Sequence, residues 1–219
     1  MLGQAWNKDK YKYRAPNIRK LIQRSNSVTM WVCSLILWQA TLKERIKVVT
    51  KIINIANHLR KLNNFNSLIA FVSAMNNAAV HRLKHTFQGL PQETQNLLEE
   101  LKQLTSVSNS YANYRKAIHT TNPPCIPFLG VYLTDFTFIE EGNSDLVTKG
   151  ENKLINFAKQ ELIYTVFEEI EQYQLTHYSL EFVEQLGAFL QQLPFNDEES
   201  LYKLSLLREP RSAPLSDIK

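Results

Sequence analysis

The residues whose types and spacing could do chemistry lie in the segment 128–143. Thr134, Thr137 and Glu141 stand three and four apart, so on an α-helix they share one face. That face would present two hydroxyls and a carboxylate. Phe128, Leu129, Tyr132, Phe136 and Ile139 fall together on roughly the opposite face at about 100° per residue. One side can therefore bury while the other meets a partner or only solvent. Spacing alone fits both, and an amphipathic helix with a solvated polar side is the commoner of the two.

Other constellations are weaker. His81 and His85 are four apart, as helical metal ligands would be, but no third ligand stands at a fitting distance and no His-Glu-x-x-His motif occurs. They read as surface histidines. Glu140-Glu141 and Glu168-Glu169 are neighbours that diverge by about 100° on a helix, so neither pair forms a dicarboxylate site. There is no glycine-rich phosphate loop and no Gly-x-Ser-x-Gly elbow. The expectation is a protein without metal, without cofactor and without bond-making chemistry.

Composition agrees with a globular chain of 219 residues, 44% hydrophobic and 21% charged, long enough for one large domain. The formal charge of +4 is modest. Lys8, Lys10, Lys12, Arg14, Arg19 and Lys20, interleaved with Trp6, Tyr11 and Tyr13, suggest a nucleic-acid or lipid patch, with a solvated chain end as the plainer reading. Cys33 and Cys125 are too few and too far apart for a disulfide framework, and they suit a reducing cytosol. Residues 1–14 lack the apolar core of a signal peptide, and the apolar run 30–38 is too short for a membrane span.

The elements that must position Thr134, Thr137 and Glu141 read as helices. Pro16 opens one to about Gln39. Thr41-Leu42-Lys43-Glu44 has capping-box spacing and opens an amphipathic helix through Leu59. Asn63-Asn64 and Asn76-Asn77 bracket an apolar helix, Pro91 starts another to Leu104, and Ser110 is placed to cap a short one. Pro123, Pro124 and Pro127 force an extended stretch. A compact helix from about Phe128 to Glu141 follows, closed by Gly142 and Asn143. A long helix is expected from Asn152 to Gln174, then helices near Ser179–Leu193 and Asp197–Leu206, and a loose tail. With no Asn-Gly or Asp-Gly hairpin signal, the fold class is all-α, and its distinctive feature is a helical hairpin around Gly142.

Several strings carry a resemblance. Asn63-Asn64-Phe65-Asn66-Ser67-Leu68 continuing through Val72-Ser73-Ala74-Met75-Asn76 is similar to the Ras guanine-nucleotide exchange factor (RasGEF) catalytic domain. So are Asn122-Pro123-Pro124-Cys125-Ile126-Pro127-Phe128-Leu129-Gly130, the run from Val131 to Asp135, Ile139-Glu140-Glu141-Gly142-Asn143, Leu154-Ile155-Asn156-Phe157 and Arg208-Glu209-Pro210-Arg211. The resemblance implies a bowl of helices with a protruding hairpin that wedges beside the nucleotide of a small GTPase. By motif position, Glu141 would be the intruding carboxylate, Thr137 the residue that crowds the metal site, and Thr134 its neighbour. Phe128 would be the apolar anchor beneath the hairpin, and Ile69, Asn76, His81 and Tyr111 would contact the GTPase switches.

The domain would run over residues 1–207, with 208–219 as a tail. Since the likeness begins at Leu2-Gly3-Gln4-Ala5-Trp6, it would lack the family's first helices. The expected function is an exchange factor that accelerates GDP release from a Ras-family GTPase; the alternative is a non-exchanging GTPase-binding module or an inactive truncated fragment. Residues 134–143 resemble Ras-type more than Rap-type activators. Nucleic acid is not an expected partner, and membrane association would be peripheral, through the GTPase. A cytoplasmic protein recruited to the inner face of the plasma membrane would follow.

Overall fold

A computed structural model describes residues 4–218; Leu2 and Gly3, where the resemblance begins, lie outside them. A 3-10 turn, Asp9–Arg14, precedes helices α1 (Pro16–Leu37), α2 (Leu42–Lys61), α3 (Phe65–Asn76), α4 (Ala78–His81), α5 (Lys84–Gln88), α6 (Gln92–Leu104) and α7 (Ser108–His119). Then come α8 (Leu129–Gly142), a ribbon of β1 (Leu146–Lys149) and β2 (Asn152–Ile155), α9 (Phe157–Gln172), α10 (Glu184–Gln191) and α11 (Glu198–Arg208). The protein is all-α apart from that ribbon.

Local chemistry sets the helix starts. Pro16, which has no N–H to leave unpaired, stands first in α1. The Thr41 hydroxyl accepts from the Glu44 amide at 3.3 Å while the Glu44 carboxylate accepts from the Thr41 amide, completing the capping box of α2. The two Asn pairs are working punctuation: Asn63 takes a left-handed φ of 55°, and the Asn64 and Asn77 side chains cap α3 and α4.

Helix α3 packs between α1 and α2 and forms the floor of the core. Leu68, Ala74 and Met75 are sealed against Val32, Cys33, Ile36 and Val49. Burying each large apolar side chain contributes roughly 1.5–3 kcal/mol. Helix α11 lies on α1 and α4. The C-terminal residues assigned to a loose tail are fastened at their start. Arg208 donates to the Leu37 carbonyl at 2.8 Å. Glu209 is buried and accepts from the Thr86 amide, the Thr86 hydroxyl and the His85 amide at 2.9, 2.7 and 3.0 Å. Fully buried Arg45 meets the same Thr86 hydroxyl and three backbone carbonyls, at Gln39, Ala40 and Arg208. His85 is thus half-buried and bonded, not simply a surface residue.

Three expectations need correction. The helix expected from Asn152 begins at Phe157, because residues 146–155 pair as an antiparallel ribbon turning at Gly150-Glu151, with Lys149 opposite Asn152. Gly150 has φ +63°, which a glycine adopts without steric penalty. The helix expected from Ser179 begins only at Glu184. Ser110 does not cap α7: Asn109, Ser110 and Tyr111 all have φ between 51° and 62°, so the chain makes a left-handed turn before the regular helix.

Candidate functional site

The candidate residues sort into two groups joined by aromatic rings. The first group is on α8. Val131, Tyr132, Leu133 and Phe136 are buried, while Thr134 and Glu141 are exposed and Thr137 is half-exposed. The polar face of the helical wheel is the more exposed one; of its apolar face Tyr132 and Phe136 are buried and Phe128, Leu129 and Ile139 half-buried, while Val131 and Leu133 add to the buried side. The Thr134 and Thr137 hydroxyls each donate to the carbonyl four residues back, Gly130 and Leu133, at 2.9 Å. Their protons are committed to the helix, and each oxygen keeps lone pairs for an incoming donor or cation. Glu141 has one side-chain partner among the described residues, the Gln4 amide at 3.4 Å. Its negative charge is otherwise open to solvent.

The acidic pair divides its labour. Glu140 faces inward to Lys159 at 2.8 Å, and Glu141 faces out. At the second pair, Glu169 accepts from the Tyr132 hydroxyl at 3.0 Å across α8 and α9. Burial drives the Tyr132 hydroxyl strongly upward in pKa, so it remains a donor.

The base of α8 is fixed by aromatic packing. Tyr114, fully buried, accepts from the Phe128 backbone amide at its hydroxyl oxygen, at 2.8 Å. The rings of Phe65, Tyr114, Tyr111 and Phe128 meet with centroids 5.4 to 6.5 Å apart, within the range of favourable edge contacts. Gly130 permits this: a Cβ there would stand 2.4 Å from Cζ of Phe128. Phe128 thus packs at the base of α8 against Tyr111 and Tyr114. Arg115 adds a bidentate grip on Asp135 of α8, at 2.9 and 2.6 Å, and its Nε donates to the Ser110 carbonyl in the left-handed turn at 2.9 Å. That hydrogen bond to Asp135 raises the guanidinium pKa further.

The second group lies on the helical body. Ile69, Asn76 and Tyr111 line one hollow of about 240 Å³ between α3, α6 and α7. His81 lines an adjoining cavity of about 580 Å³ with Phe87, Leu90 and Leu98. Lys102 forms part of the wall of both. Tyr111 touches the hollow on one side and Phe128 on the other, so it bridges the two groups. Among the described residues no three His, Cys, Asp or Glu side chains gather as metal ligands, and no helix is long and apolar enough to cross a membrane.

A comparison with protein families matches residues 1–161 to the RasGEF domain, more than half of the chain. The chain belongs to the RasGEF domain family. Its relatives agree. It is 46% identical over 219 residues to Ras guanine nucleotide exchange factor K of Dictyostelium discoideum, covering 99% of this chain and 14% of that protein. Exchange factor R of the same organism is 43% identical over 218 residues, with 99% of this chain and 12% of the relative covered. Exchange factor A is 38% identical over 229 residues, with 100% and 38% covered. The RasGEF-domain chain thus spans well under half the length of these relatives.

Sequence reasoning missed the supports of this RasGEF domain's candidate surface. Lys102, Arg115, Asp145 and Lys159 draw no attention in the sequence, and Asp135 and Glu140 enter it only within the resemblance strings and as half of an acidic pair. The one available signal was the number of charges on otherwise apolar-faced helices, which does not say which ones pair.

Proposed function

We propose that this RasGEF domain binds a Ras-family small GTPase and accelerates release of its guanine nucleotide, with α8 as the inserted element. The observation that carries the reading is the exposed polar face of α8: Glu141 without a charged partner among the described residues, with Thr134 and Thr137 beside it, on a helix anchored at its base. The hollow of Ile69, Asn76 and Tyr111 and the cavity edge at His81 supply a second contact surface. A partner gripped there meets α8 in a fixed relation, because Tyr111 packs on Phe128.

The mechanism needs no covalent step. A nucleotide held near picomolar affinity has about 16 kcal/mol of binding free energy. Much of it comes from Mg²⁺ and the phosphate contacts of the GTPase. The Glu141 carboxylate is placed to compete for the donors that hold the phosphates, and α8 with Thr137 to obstruct the metal while displacing a switch segment that already orders and disorders. Each 1.4 kcal/mol taken from the release barrier is about tenfold in rate. Direction is set by the nucleotide pool. Ras rather than Rap as partner, and a cytoplasmic protein that reaches the membrane through that partner, belong to the same proposal.

The test is release of a fluorescent GDP analogue from purified Ras and, separately, Rap, with and without the chain. Acceleration that falls roughly 10- to 100-fold in Glu141→Ala, with unchanged circular dichroism, is expected. Binding to nucleotide-free GTPase without acceleration would instead establish a binding module, and an unchanged rate in Glu141→Ala would remove that carboxylate from the mechanism.

A further inference from the structure

Lys159 is the one described residue of α9 that is buried, with its side chain 2% exposed. A buried ammonium demands partners. Lys159 has two: Glu140 Oε2 at 2.8 Å, from the last turn of α8, and Asp145 Oδ1 at 2.6 Å, from the loop that leads into β1. The neighbouring turn closes the same knot. The Asn156 side chain accepts from the Lys159 amide at 3.2 Å and donates to the Ser144 carbonyl at 2.9 Å, and the Asn156 amide donates to the Asp145 carbonyl at 2.9 Å.

This knot has no apolar substitute nearby. Every residue of β1 and β2 is exposed, and the apolar packing of α8 against α9 involves Leu129, Leu133 and Phe136, nearer the base. The end of α8 is therefore aimed by directional polar bonds and not by burial. Glu140 and Glu141 are adjacent, about 100° apart on the helix. Drawing Glu140 inward obliges Glu141 to point outward, as it does.

We propose that Lys159 is a positioning residue for nucleotide exchange: held between Glu140 and Asp145, it sets the direction in which Glu141 leaves α8. The inference rests on the exchange reading above. Lys159 has almost no surface with which to meet a GTPase, so its effect must pass through Glu140.

The experiment measures GDP-analogue release from Ras at saturating and subsaturating amounts of the full chain. It compares wild type, Glu141→Ala, Lys159→Met, Lys159→Arg and the double variant Glu141→Ala/Lys159→Met. Lys159→Met is expected to lower kcat about tenfold with KM changed less than about twofold, and Lys159→Arg to recover most of the loss. The decisive comparison is coupling: Glu141→Ala should slow the wild type at least tenfold but the Lys159→Met background by only about twofold. Equal factors in both backgrounds overturn the proposal, as does a wild-type kcat in folded Lys159→Met. If Lys159→Met fails to fold, Asp145→Asn keeps the test alive. It removes one arm of the knot at a carboxylate that is 80% exposed, and a roughly threefold drop in kcat with the same loss of coupling is expected. A wild-type rate, or an undiminished Glu141→Ala effect, in Asp145→Asn overturns the proposal there. A wild-type chain that accelerates nothing sinks the exchange reading itself, whereas an active wild type with an indifferent Lys159 sinks this inference alone.

Discussion

The α1–α2–α3 core and the α8–β-ribbon–α9 hairpin hold their shapes by different physics. In the core, Val32, Cys33, Ile36, Leu37, Val49, Leu68 and Ala74 are completely sealed, and shape follows from close packing. In the hairpin, apolar packing is confined to the base, around Leu133 and Phe136; beyond it Phe138, Ile155, Phe157 and Tyr164 are all more than 60% exposed, and position follows from a few directional bonds: Arg115 to Asp135, Tyr132 to Glu169 and Lys159 to Glu140 and Asp145. Packing resists every small displacement. Polar pins resist only those that lengthen them, so an element held by pins can be re-aimed without unfolding the domain. A helix that inserts into a partner gains from that division of labour.

The sharpest way to break the comparison is to remove one side chain from each region. Leu68→Ala opens a void in the floor of the core, at a side chain that is completely buried. A loss of about 2–5 kcal/mol is expected by urea or thermal unfolding. Exchange activity per folded molecule should survive. Arg115→Met removes the fork that ties α7 to α8 and leaves Asp135, 25% exposed, without its cation. The expected loss is smaller, about 1–2 kcal/mol, because solvent reaches both groups. Here the exchange rate should fall further than stability predicts, since the same guanidinium also holds the carbonyl of Ser110 beside Tyr111. If Leu68→Ala proved milder than Arg115→Met by unfolding, the division between a packed core and a pinned hairpin would be wrong.

How far each region could be read from sequence follows the same division. Core helices announce themselves by periodicity and caps, both local: the Thr41–Glu44 box and the Asn64 cap each close within three residues. The face of α8 with Thr134, Thr137 and Glu141 was legible for that reason too, although its use was not; that came from resemblance. The ribbon was illegible because all eight of its strand residues are exposed, so no apolar alternation marks it, and its turn uses Gly150-Glu151 in place of a common Asn-Gly. The pins were illegible because their partners are distant in sequence: Lys159 is 19 and 14 residues from its two carboxylates, and Arg115 is 20 from Asp135. A lysine in a helix reads as solvated until the fold buries it. The convergence of Ile69, Asn76 and Tyr111 on one hollow likewise needs three helices in register, which no local period specifies.

A gentler perturbation, alkaline pH, should separate the two regions by order. Burial pushes the Cys33 thiol from 9.0 up to about 12 and the Cys125 thiol up to about 11. Both are raised, so above pH 9 the unfolded chain gives up thiol protons that the native chain keeps. The stability they contribute is fully present below pH 9 and drains away as pH rises towards 11 and 12. Lys159 is also raised, by its hydrogen bonds to Asp145 and then Glu140, from an ordinary value of 10.5. Its contribution has the same sign but begins to fall only above that pH. A Tm that declines by several degrees between pH 9 and 10.5, while the ribbon at 146–155 stays resistant to limited proteolysis, is the expected order. Cleavage at the ribbon before any loss in Tm would mean that the pin yields first, and that the hairpin is aimed by something other than the Lys159 knot.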